Sequence, residues 1–110
     1  MTTTQTDRIR ELNDIFRTTW LTGKVLMTSG IKSLPDAIQS SIVEVVQRFD
    51  AFTSDNDPHG EHDFGVVIVE GHNVFWKIDY YDQTLQYGSE NPANPAVTKR
   101  VLTIMLAEEY

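Results

Sequence analysis

Apolar positions recur with two different periods along this chain, and the switch between them separates helical from strand-like stretches. Ile9, Leu12, Phe16 and Trp20 fall at three- and four-residue steps, which places them on one helix face while Arg8, Glu11, Asp14 and Arg17 lie elsewhere. Thr6 or Asp7 can cap this helix, which runs to about Leu21 and is ended by Gly23. Residues 24–28 then read as a short strand and Ser29-Gly30 as a turn. Ser33, followed at the third position by Asp36 and with Pro35 in the first turn, marks the start of a second helix. Leu34, Ile38, Ile42, Val45 and Phe49 form its apolar stripe, and it stops near Phe52.

After a polar loop over residues 53–62 the period falls to two. Residues 64–69 and 74–81 predict a β-hairpin turning at Gly71-His72 or His72-Asn73. Both registers assign side chains to the same faces. Val67, Val69, Val74, Trp76, Ile78 and Tyr80 point to the core, and Gly65 leaves room beside Ile78. Phe64, Val66, Ile68, Phe75, Lys77, Asp79 and Tyr81 form a second face, with His62 near its open end. A brief strand around residues 85–87 and turns over 88–94 lead to a last helix, capped by Asn94-Pro95 and reaching about Glu108, with Val97, Val101, Ile104 and Met105 inward. The fold expected from this order is α+β: a small, mainly antiparallel sheet of three to four strands packed against three helices, as a single domain over residues 1–110 with residues 1–5 frayed.

Composition narrows the chemistry. The chain has no cysteine, which removes disulfides, thiolate zinc sites and cysteine nucleophiles. No apolar run approaches the roughly 20 residues needed to cross a bilayer, and the start lacks the features of a secretory signal, so a soluble, cytoplasmic protein without a membrane partner is expected. The formal charge of −7 is uneven: residues 1–49 carry six Lys/Arg against five Asp/Glu (+1), residues 50–110 three against eleven (−8). Direct nucleic-acid binding over a broad surface is disfavoured, since phosphate contacts need clustered cations. Acidity keeps a protein soluble and steers basic partners toward it.

The stretch from Asp55 to Asp82 holds the candidate chemistry. Asp55-Asn56-Asp57-Pro58-His59-Gly60 opens like a calcium loop, but the position that must supply a bidentate acid is Val66. Turn-forming Asp and Asn side chains account for the same composition. His59, Glu61, His62 and Asp63 contain two imidazoles three residues apart, not the four of a zinc-binding helix signature; no metal and no cofactor is expected, and His62 is read as bonding a neighbouring carboxylate or backbone group. Lys77 and Asp79, two apart on one strand, read as a surface ion pair. They could also orient His62 or Tyr81 for proton transfer. Nucleophile elbows, phosphate-binding loops and dinucleotide fingerprints are absent.

Several longer strings carry a resemblance: Gly60-Glu61-His62-Asp63-Phe64-Gly65, the run Phe75-Trp76-Lys77-Ile78-Asp79-Tyr80-Tyr81-Asp82, Tyr87-Gly88-Ser89, and Arg100-Val101-Leu102-Thr103-Ile104-Met105-Leu106-Ala107-Glu108-Glu109-Tyr110. Together they resemble a small bacterial family of unknown function that is frequent on plasmids and other mobile elements. The resemblance spans nearly the whole chain beyond Gln5. It implies a bacterial, intracellular setting and transfers no catalytic residue.

The leading expectation is a non-enzymatic acidic module that binds a protein partner, basic or nucleic-acid-binding, through Asp55, Asp57, His59, Glu61, His62, Asp63, Lys77, Asp79, Tyr81 and Asp82. In its sharpest form the module is a mobile-element inhibitor acting on a nucleic-acid-handling host protein, with its carboxylates on one surface. One alternative is a small hydrolase or nuclease using His62, Asp63, Asp79 and Tyr81. Another is a homodimer that buries Phe64, Ile68 and Phe75 of the hairpin's second face.

Overall fold

The structure, a computed structural model, describes residues 4–110. The frayed segment expected at the N-terminus lies outside the described residues for positions 1–3. Thr4, by contrast, is the N-cap of helix α1 (Gln5–Thr19), and Gln5 is its first residue. Thr4 Oγ1 accepts from the Asp7 amide at 3.0 Å and Asp7 Oδ2 accepts from the Thr4 amide, a reciprocal box that moves the cap ahead of Thr6 or Asp7. The helix ends at Trp20, whose φ of 61° turns the chain into the left-handed region before Gly23 is reached.

Strand β1 (Lys24–Met27) follows, then a one-turn helix α2 (Ser29–Lys32) where a turn is expected. Ser33 closes α2 rather than opening the next helix. Pro35 is the N-cap of α3 (Asp36–Gln47), which stops before Phe49 and Phe52. Its buried positions are Ile42 and Val46, while Val45 is exposed.

Strands β2 (Phe64–Val69) and β3 (His72–Tyr81) form the hairpin. The turn is Glu70-Gly71, with φ of 49° and 78°, the two positive values of a tight hairpin turn whose twist matches the strands. Phe64 therefore pairs with Lys77 and Gly65 with Trp76. This register is one step from the nearer of the two expected, and the step preserves parity, so the face assignment stands. Gly65 makes room for Trp76 rather than for Ile78: a Cβ there would enter the indole ring.

The largest departure is strand β4 (Lys99–Leu106), where a helix is expected from Pro95 to Glu108. Asn94 caps only a turn, accepting from the Ala96 amide at 2.9 Å. Val101, Leu102, Ile104 and Met105 are all buried, as in a central strand covered on both faces, where apolar residues run almost continuously and period alone does not separate strand from helix. The brief strand at residues 85–87 is instead part of a turn, with a single bridge between Tyr81 and Gly88.

The sheet order is β1-β4-β3-β2. β4 pairs parallel with β1 and antiparallel with β3. Phe16 of α1, Ile31 of α2 and Ile42 and Val46 of α3 pack with Val67, Val69, Val74, Trp76, Ile78, Leu102 and Ile104. All three helices thus contribute to one face of a four-stranded, mostly antiparallel sheet, an α+β architecture. The opposite, outer face has no helix over it, and a 3-10 turn (Ala107–Glu109) carries Tyr110 onto it.

Candidate functional site

The most connected polar group lies beneath the 53–63 loop. Asn13, fully buried on α1, donates from Nδ2 to the Glu61 carbonyl at 3.0 Å and to the Tyr80 hydroxyl at 2.8 Å. Its Oδ1 accepts from Arg100 Nε at 2.7 Å. Tyr80 in turn donates to the Glu61 carboxylate at 2.8 Å, and Arg100 donates to the Pro92 carbonyl and lies 5.1 Å from the Tyr80 ring centre. Burial pushes the Tyr80 hydroxyl above the usual tyrosine range and lowers the Arg100 guanidinium. The hydroxyl therefore stays protonated and serves as a hydrogen-bond donor. Its role is to tie α1, β3, β4 and the loop together.

His62 is clasped rather than poised. Its ring stacks on Phe52 with centroids 3.6 Å apart and planes within 5°. Nδ1 lies 2.8 Å from Asp14 Oδ1, and Nε2 lies 3.7 Å from Asp57 Oδ2. A His–Asp pair acts as a general base on the group that its second ring nitrogen faces, whether hydroxyl, thiol or water; among the described residues that nitrogen faces the Asp57 carboxylate. The imidazole thus bonds a neighbouring acid, as expected. It lies on the helix side of the sheet, not on the hairpin's second face, because a φ of 55° at His62 breaks the strand alternation that would have carried it there. Arg17 supports the same corner. Its guanidinium is buried 5.2 Å from the Phe52 ring centre and 5.3 Å from that of Trp76, and bonds Asp14 at 3.0 Å and the Phe49 carbonyl.

The loop's acids have separate environments. Asp57 accepts from the His62 amide at 3.2 Å. Asp63 is raised above the ordinary carboxylate range, first by burial and then by Glu61. Asp55 and His59 are exposed, and Arg10 anchors the loop at the Gly60 carbonyl. Asp82 accepts from the Thr84 hydroxyl at 2.7 Å and from the Thr84 and Gln86 amides, which hold its carboxyl below the usual range.

Lys77 and Asp79 form an ion pair at 3.0 Å on the outer face. Register places Tyr81 on that face too, beside Lys99. The set His62, Asp63, Asp79 and Tyr81 is therefore divided between two sides of the sheet. Three concavities of about 370, 140 and 350 Å³ lie elsewhere, and none is lined by these four residues. Among the described residues no three His, Asp or Glu side chains are grouped to hold a metal ion, and no helix is long and apolar enough to cross a membrane.

The outer face has its own organisation. Phe64, Phe75 and Tyr110 pack edge-to-face, with centroids 5.3 to 6.1 Å apart. Beside them Val66 is 48% and Ile68 73% exposed, and Leu26 of β1 is also exposed. By strand alternation Lys24, Lys77 and Lys99 share this face with Asp79, so a protein of net charge −7 shows locally cationic strands here. Sequence reasoning missed Asn13, Asp14, Arg17 and Arg100. The available signal was polar residues at four-residue spacing on a helix's apolar stripe, Ile9-Asn13-Arg17, and an arginine inside an apolar run.

Fold and side chains together define a two-layer α+β protein whose helices pack on one face of the sheet, and in which His62, Asp63, Asp79 and Tyr81 do not converge. Residues 27–109 match the model of a family described as a protein of unknown function, DUF3768, and the chain belongs to that family. No curated protein and no solved structure matches it.

Proposed function

We propose that the chain is a non-enzymatic protein-binding module whose docking surface is the outer face of the sheet. The observation that carries this reading is the one-sided placement of the helices, which leaves Phe64, Val66, Ile68, Phe75 and Tyr110 on one face with Lys24, Lys99 and the Lys77–Asp79 ion pair. Apolar and aromatic residues bordered by charge are the composition of a recognition patch. Charge complementarity selects a partner protein that sets apolar side chains beside acidic ones.

The acidic loop supports a docking role less well. Asp57, Glu61, Asp79 and Asp82 are each engaged within the chain, Asp63 is partly withdrawn from solvent with its carboxyl raised, and Asp55 is exposed. In the bacterial, mobile-element setting that the resemblance implies, such a module acts by occupying a host protein. A nucleic-acid-handling target would then be met on an acidic surface rather than in its basic groove. The hydrolase reading draws less support, since its four residues lie on two sides of the sheet.

The test is a tagged capture in a bacterial host with three baits. Wild type and Asp57→Asn/Asp63→Asn should retain the same partner, and Lys77→Glu/Tyr110→Ser should lose it. Loss through the loop variant with retention by the face variant would return the docking site to the acidic loop.

A further inference from the structure

Strand β2 is an edge of the sheet, and its sequence Phe64-Gly65-Val66-Val67-Ile68-Val69 has no lysine, proline or other charge along it. Edge strands are ordinarily blunted by such residues, by bulges or by a covering element, because their free amides and carbonyls invite another strand. The Asp63 carbonyl accepts from the Ile78 amide at 2.8 Å, which fixes the phase: odd-numbered residues of β2 bond to β3, and even-numbered ones turn their N–H and C=O outward. Among the described residues, the backbone groups of Phe64, Val66 and Ile68 have no hydrogen-bond partner.

We infer that this edge takes the same edge of a second copy of the chain, antiparallel and centred on Val66. The outward-facing groups then meet in phase. Val66 pairs with Val66 of the second copy, and Phe64 with Ile68 of the second copy, each pair exchanging two hydrogen bonds. On the outer face the same pairing sets Phe64 against Ile68 of the other copy, both apolar, the kind of cross-strand contact that stabilises sheets. Charge also agrees. The paired positions Phe64–Val69 carry no charge, so no acid faces an acid within the pairing. The occupant is thus a second copy rather than an unrelated strand, because the run is complementary to itself under a two-fold axis. The product doubles the four-stranded sheet, and the inference stands independently of the partner proposed above.

Light scattering or sedimentation across a concentration series tests it, together with amide exchange. Wild type should rise from the 12.5 kDa monomer mass toward twice that value, and the Val66 and Ile68 amides should become protected as it does. Val66→Lys brings two ammonium groups together at the axis and should weaken the dimer more than about tenfold. Val66→Pro removes only an outward N–H and should do the same, with circular dichroism reporting its fold. Lys77→Glu/Tyr110→Ser should leave the mass unchanged. Monomer mass with rapid Val66 and Ile68 exchange at every concentration, or a dimer that survives Val66→Lys, would overturn the inference.

Discussion

The carboxamide oxygen of Asn13 accepts the Arg100 Nε–H at 2.7 Å, joining the first helix to the last strand inside the protein. The same side chain's amide serves both Tyr80 and the Glu61 carbonyl. Asn13→Leu strands these partners without water to replace it. It is expected to lower unfolding free energy by about 2–4 kcal/mol, read from denaturant midpoints at constant slope. Tyr80→Phe, which removes one hydroxyl, should cost about 1–2 kcal/mol. The double variant should lose less than the sum, since both act on one network.

Gly65 and Gly71 separate two reasons for glycine in one hairpin. A Cβ at Gly65 collides with the fully buried Trp76, whereas nothing lies within 4 Å of one at Gly71, whose φ is 78°. Gly65→Ala should therefore cost about 3 kcal/mol through overpacking. Gly71→Ala should cost about 1 kcal/mol through backbone conformation alone. Thermal melts of the two variants should differ accordingly, and equal losses would refute the assigned register.

Asp63 gives a pH signature of unusual sign for a carboxylate. Its folded-state pKa is raised by burial and by Glu61, so the folded protein holds the proton more tightly than the unfolded chain. The stabilising contribution is present below the unfolded value and lost as pH rises through the folded one. Asp63→Asn should raise the melting temperature at pH 7, with the gain shrinking toward pH 4.

Glu109 has the opposite sign. Its carboxylate accepts from Thr28 Oγ1 at 2.6 Å, the Leu106 amide at 2.8 Å and the Gly30 amide at 3.1 Å, and these bonds, the Thr28 hydroxyl first, hold it below its ordinary value. Its contribution is present above the unfolded pKa and fades as pH falls through the folded one. Glu109→Gln should melt lower than wild type at neutral pH and converge with it in acid. It should also increase the exposure of Phe64 and Phe75 to a hydrophobic dye, because Glu109 seats the turn that places Tyr110 over them.

What the sequence made legible follows from periodicity. Val67, Val69, Val74, Trp76 and Ile78 are assigned to the core from alternation alone, and parity protects that assignment from the error in turn position. Residues 99–106 are not legible in the same way, because a strand buried on both faces loses its alternation, and Asn94-Pro95 supplies a helix-like start that ends in a turn. His62 shows a third limit. One positive φ moves it across the sheet, and local composition carries no trace of that. The Asn13, Tyr80 and Arg100 hub joins residues far apart in sequence, so only coordinates could assemble it.

The placement of β4 between β1 and β3 carries a consequence for how the molecule comes to exist. The strand that β1 and β3 both pair with is the last of the four to leave the ribosome, and its parallel mate was made 77 residues earlier, as the Lys24–Val101 pairing counts it. Until then β1 has no strand to pair with, and the greasy helix faces have only the β2–β3 ribbon to close against. A pairing this distant predicts slow maturation, and an interval in which chaperones rather than the protein's own packing keep it from aggregating.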